Sequence, residues 1–101
     1  MQQFLLEFEQ YCKKPGITSN KASSYAKAIR YLCEYLGIST IDEQAVARIK
    51  KIENELNNKN SGTYIELLRF LEKRKQKSYL EGGFIRAALT QLYGFIADST
   101  A

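Results

Sequence analysis

Residues 18–37 read TSNKASSYAKAIRYLCEYLG, and their apolar side chains fall at Ala22, Tyr25, Ala26, Ile29, Leu32, Cys33 and Leu36. This is the i, i+3, i+4, i+7 spacing of a helix with one buried face. Thr18 or Ser19 is placed to cap its start, and Gly37 to end it in the left-handed conformation. The other face carries Asn20, Lys21, Ser24, Lys27, Arg30 and Tyr31. Small polar, basic and aromatic groups of this kind suit contact with a phosphate backbone.

The same period continues on both sides of this helix. A first helix is predicted over 3–13, with Phe4, Leu5, Phe8, Tyr11 and Cys12 on one face. Lys14, Pro15 and Gly16 stop it, because proline and glycine interrupt helical runs. A third helix is predicted from residue 40, where Thr40 and Glu43 have the spacing of a capping box. Its stripe is Val46, Ile49, Ile52 and Leu56, and residues 57–62 form a polar loop. A fourth runs over 63–76 with Tyr64, Leu67, Leu68 and Leu71 inward, its basic last turn matching the helix dipole. Gly82 and Gly83 break the chain. A fifth runs over 84–97 with Ile85, Ala88, Leu89, Leu92, Phe95 and Ile96 inward. No convincing strand pattern, internal repeat or low-complexity tract interrupts this. The expectation is an all-α bundle of four to five helices over residues 1–97, with 98–101 as a tail or linker. Its core should centre on Tyr25, Ile29, Leu32, Leu68, Leu89 and Leu92.

One hundred and one residues make one domain with a single modest core. No apolar run is long enough to span a membrane. The first residues, MQQFLLEFEQ, lack the basic start and apolar stretch of a signal peptide, so a soluble cytoplasmic protein is expected. Fifteen basic and eleven acidic side chains give a net charge of +4, too mild an excess to identify a partner by itself. Its distribution says more. Basic residues gather at 13–30 and in the run Lys73, Arg74, Lys75 and Lys77; acidic ones gather at Glu7, Glu9, Asp42, Glu43, Glu53 and Glu55.

The chemistry-bearing residue types argue against a reaction. There is no histidine, and Cys12 and Cys33, the two cysteines, have no metal-ligand spacing. Both fall on apolar faces and read as buried free thiols. Neighbouring carboxylates such as Asp42 with Glu43 lie on solvated helix surfaces, without the burial or convergent partners of an acid-base pair. Gly82-Gly83 lacks the lysine and spacing of a phosphate-binding loop and reads as a turn. No cofactor, metal or small-molecule substrate is expected.

The second helix, with Ser24-Tyr25 following Thr18 to Lys21 and Ile29-Arg30-Tyr31-Leu32 after it, resembles the N-terminal core-binding domain of tyrosine recombinases, the phage-type integrases. AALTQLYGFI (87–96) resembles the closing helix of such domains, and FLLEFEQYC (4–12) their opening helix. Lys21 stands where that family usually has threonine, and residues 50–83 are longer than the equivalent part. A similar helical module precedes nuclease domains in some bacterial restriction-type proteins, and the extended middle suits that variant as well. The resemblance implies a SAM-like fold of bacterial or phage origin. Its job would be to clamp duplex DNA for recombination or cleavage by a separate catalytic domain C-terminal to it.

The expected DNA contacts are therefore Asn20, Lys21, Ser24, Lys27, Arg30 and Tyr31, with Lys73, Lys75 and Lys77 from the basic run. They are expected to bind mainly phosphate. Arg30 and Asn20 are the candidates for reaching a base edge, so sequence selectivity should be weak. The alternative is a small helical protein-interaction module, or a phage-encoded inhibitor of a host protein, using this surface against an acidic partner.

Overall fold

A computed structural model of the protein describes residues 1–13 and 21–100, Thr100 through its backbone alone. Among the described residues there are six helices and no strand: α1 (Gln2–Cys12), α2 (Ala22–Leu36), α3 (Glu43–Leu56), α4 (Gly62–Lys73), α5 (Ser78–Glu81) and α6 (Phe84–Thr100). The all-α bundle expected from periodicity is present, with a one-turn helix, α5, added between the fourth and the last. Four residues are too few to carry a period, so nothing in the sequence marks α5.

The bundle is built around α2, which packs against α1, α4 and α6. Six of its seven predicted inward positions, Ala22, Tyr25, Ala26, Ile29, Leu32 and Cys33, are buried; Leu36 is half-buried. Ala28, not assigned to that face, is fully buried as well. Ile85, Ala88, Leu89 and Leu92 of α6 meet this face from across the core. Burying each such leucine or isoleucine is worth roughly 1.5–3 kcal/mol. Leu68 is only half-buried, and Leu67 and Leu71 take its expected place in the core. Phe8 and Cys12 of α1 complete this layer. Around them Phe4, Phe8 and Tyr11 surround Phe95 of α6, with ring centroids 5.3–5.8 Å apart.

Local signals set the helix ends. Gly37 has φ +71°, and α2 closes with Ile38 N–H donating to the Cys33 carbonyl (2.9 Å) and Gly37 N–H to that of Glu34 (3.3 Å). This is the Schellman arrangement that favours glycine at this position. Arg48 of α3 donates to the Leu36 carbonyl at 2.7 Å and ties the two helices together. The Thr40 capping box does not form. Asp42 caps α3 instead, its Oδ1 accepting from Ala45 N–H at 2.8 Å. Helix α3 thus starts at Glu43, which supplies an acidic side chain to the first turn, as the dipole favours. Ser61 caps α4, one residue earlier than expected, by accepting from Tyr64 N–H at 3.1 Å.

Polar contacts join the outer helices to the core. Tyr93 of α6 donates to Glu53 of α3, and Tyr35 of α2 to Glu66 of α4, each at 2.9 Å. Burial and the acceptor carboxylate raise both phenol pKa values, that of Tyr35 to about 12. The last helix extends through residues 98–100, which the sequence assigned to a tail. The expected caps Thr18 and Ser19 lie outside the described residues, as does the stop at 14–16.

Candidate nucleic-acid interface

The outward arc of α2 holds Lys27 and Arg30, both exposed, with Ser24 and Tyr31 half-buried along one edge. Lys21, just before the helix, is exposed, and its Nζ lies 6.0 Å from the centre of the Phe84 ring. Asn20 lies outside the described residues. Of the expected contacts on and before α2, Lys21, Lys27 and Arg30 are thus exposed, and Ser24 and Tyr31 are not fully so.

The second basic group, about forty residues further on, comes to the same place. Helix α4 ends at Lys73, three residues sooner than its basic run suggested, and the chain turns through residues 74–77 into α5. This turn is fastened to the outer arc of α2 at both ends. Glu34 of α2 lies 3.9 Å from Arg30 and 3.7 Å from Arg74, one carboxylate between two guanidinium groups. Tyr79 of α5 packs edge-on against Tyr31 of α2, centroids 5.5 Å apart, and against Phe84 of α6 at 5.6 Å. Lys75 and Lys77 lie between these two anchors, and both are exposed.

Cations and rings alternate over this face. Arg74 sits 3.7 Å above the Phe70 ring and Arg30 5.2 Å from Tyr31, where the ring quadrupole attracts a guanidinium. The ion pairs to Glu34 are long and exposed, and pairs of that kind are worth little. Each guanidinium keeps donors for another anion. Glu34 does lower the local positive charge; its i, i+4 spacing from Arg30 puts it on this face, although it was left out of the expected contacts.

The turn holds one unfavourable backbone. Lys75 has φ +58°, a left-handed conformation in a residue with a Cβ. It occupies the helix-end position that glycine ordinarily takes: Gln76 N–H donates to the Leu71 carbonyl and Lys75 N–H to that of Glu72, each at 2.9 Å. A side chain there costs roughly 1–2 kcal/mol. The next turn has glycine where it is needed. Gly83 has φ +79°, and a Cβ on Gly82 would stand 2.7 Å from the Ser78 carbonyl oxygen.

Sequence reasoning placed Lys73, Lys75 and Lys77 but assigned them to a helix end. It did not join them to α2, and it left out Arg74, Tyr79 and Phe84. The basic run was a visible signal for Arg74. Tyr79 and Phe84 have none, because their role arises from the packing of Tyr79 on Tyr31 and Phe84.

Among the described residues no three histidine, cysteine or carboxylate side chains stand close enough to hold a metal ion. Cys12 and Cys33 are buried free thiols, and burial, aided by Glu9 and Glu34 respectively, pushes each pKa up to about 11. They are neutral at physiological pH and poor nucleophiles. Asp42, Glu53 and Glu55 have structural duties, Asp42 as a cap, Glu53 toward Tyr93 and Glu55 toward Thr63. No helix among the described residues is long and apolar enough to cross a membrane. Comparison with protein-family models, with characterised proteins and with solved structures gives no match.

Proposed function

We propose that this chain is a DNA-binding module that grips the phosphate backbone of a duplex through the face formed by α2 and the α4–α5 turn. The supporting observation is the convergence of two basic stretches, Lys21 to Arg30 and Lys73 to Lys77, held together by Glu34 and by Tyr31 against Tyr79. Phosphate contact needs cations at several points along one surface, and such contacts fix position without reading sequence. The resemblance to recombinase core-binding domains, and to the modules that precede restriction-type nucleases, points the same way. In that role the module clamps DNA while a catalytic domain elsewhere performs recombination or cleavage, and it is non-catalytic by itself. Cytoplasmic residence accompanies this reading.

A titration of mixed-sequence duplex at low salt tests it. The three α2 cations, Lys21, Lys27 and Arg30, give a logarithmic salt slope of about −3, at about 0.9 per phosphate. If the lysines at 73, 75 and 77 also bind, the slope deepens to about −5 by the same rule. Affinity should be on the order of micromolar or weaker, in the range of non-specific binding. The double variant Lys27→Glu with Arg30→Glu should lose binding while remaining folded, because both side chains are exposed. Equal binding by wild type and variant, or no binding by either, contradicts the proposal. A pull-down with an acidic protein surface would then test the interaction-module alternative.

A further inference from the structure

A second surface, sharing no residue with the basic face, has the opposite character. Phe4 of α1, Ile41 before α3, Val46 of α3, and Phe95 and Ile96 of α6 line an apolar groove of about 540 Å³. All five side chains are half-buried. Glu7, Asp42 and Glu43 stand along the same groove, and among the described residues no lysine or arginine lines it. All three carboxylates are exposed, and none is in an ion pair among the described residues. Glu7 accepts a side-chain bond from Gln3 (3.2 Å), and Asp42 uses one oxygen for its cap.

We propose that this groove docks an amphipathic helix of a partner protein, with apolar residues on one face and lysine or arginine beside them. The floor offers an apolar surface contributed by three elements, the shape that receives a helix face. The volume lies in the range of ligand-binding clefts, about 300–1,000 Å³. The described residues include no buried polar side chain of the kind that orients a small ligand in such a cleft. They also include no strand edge that an extended peptide could join. A helix satisfies its own backbone and needs neither. The exposed carboxylates select the sign of its charge, since like charges in a desolvated interface are costly and opposite ones steer approach.

The test uses a synthetic helical peptide with leucines at i, i+3, i+4 and i+7 flanked by lysines, and its counterpart with glutamates replacing the lysines. Fluorescence anisotropy at low salt should show the lysine peptide binding about tenfold or more tighter, the scale of a few exposed charge pairs. The NMR methyl signals of Ile41, Val46 and Ile96 should shift on binding. The variant Glu7→Lys with Glu43→Lys changes two exposed residues and should reverse the preference. Lys27→Glu with Arg30→Glu should leave peptide binding intact, which separates this proposal from the DNA reading. Failure of the lysine peptide to bind, equal binding of both peptides, an unchanged preference in the Glu7/Glu43 variant, or shifts located away from the groove would each overturn it.

Discussion

The basic face and the acidic groove are assembled in different ways from the same bundle. The basic face is built of cations and aromatic rings. Its cations come from segments about forty residues apart, which are joined by the Glu34 carboxylate between Arg30 and Arg74 and by the ring contact of Tyr31 with Tyr79. The groove is apolar, its carboxylates have no ion-pair partner among the described residues, and its floor is continuous with the core through Phe4 and Phe95. The difference predicts two kinds of recognition. A phosphate-binding face should lose affinity steeply with salt, because counterions are released. A groove with an apolar floor should lose less, since only its rim is screened.

The largest expected effect comes from removing the support both surfaces share. Leu32 is fully buried on the inner face of α2. Leu32→Ala should cost roughly 2–5 kcal/mol in chemical denaturation, the usual range for a buried leucine. Both surfaces should weaken together, and a loss under about half a kcal/mol would mean that α2 is not the common frame. A smaller change should act on the groove alone. Asp42→Ala removes the α3 cap and should cost about 1 kcal/mol. It should loosen the groove and leave DNA affinity unchanged, so an equal fall at both surfaces would deny their independence.

Lys75→Gly separates the surfaces from the other side. It relieves the left-handed backbone at residue 75 and should stabilise the protein by up to about 1 kcal/mol. It should also weaken DNA binding by one phosphate contact, making the salt slope shallower by about 0.9. A gain in stability with no change in DNA binding would remove Lys75 from the interface. A further effect, confined to alkaline solution, is on pH dependence. The folded state raises the Cys12 and Cys33 thiols from 9.0 to about 11 and the Tyr35 phenol from 10.0 to about 12. A raised pKa contributes stability that is complete below the unfolded value and lost as pH climbs to the folded one. Stability should therefore fall from about pH 9 upward through pH 11, and urea titrations of a Cys12→Ala, Cys33→Ala variant should show a flatter decline.

Much of this framework could be read from the chain, and the omissions share a cause. The inner face of α2, the α1 and α6 stripes and the break at Gly82-Gly83 follow from local periodicity and glycine chemistry. Adjacent choices were harder. Leu67 and Leu68 both fit an α4 stripe, and the packing of α4 on its neighbours selected Leu67. Thr40 and Asp42 both fit an N-cap, and Asp42 holds the position from which its carboxylate reaches Ala45. The union of the two basic stretches had no local signal at all. It depends on a one-turn helix that lays Tyr79 against Tyr31, a long-range contact that no spacing encodes. The groove was hidden for the same reason, since Glu7 and Glu43 come to line one groove only in the packed bundle.

The central claim is that α2 and the α4–α5 turn form a single DNA-binding face. Duplex affinity measured against salt concentration for wild type, for Lys27→Glu with Arg30→Glu, and for Lys75→Glu with Lys77→Glu tests it most directly. The account predicts that each pair of reversals weakens binding and makes the slope shallower than the wild-type value of about −5. Wild-type behaviour in the Lys75/Lys77 variant, with binding lost only in the α2 variant, would contradict it.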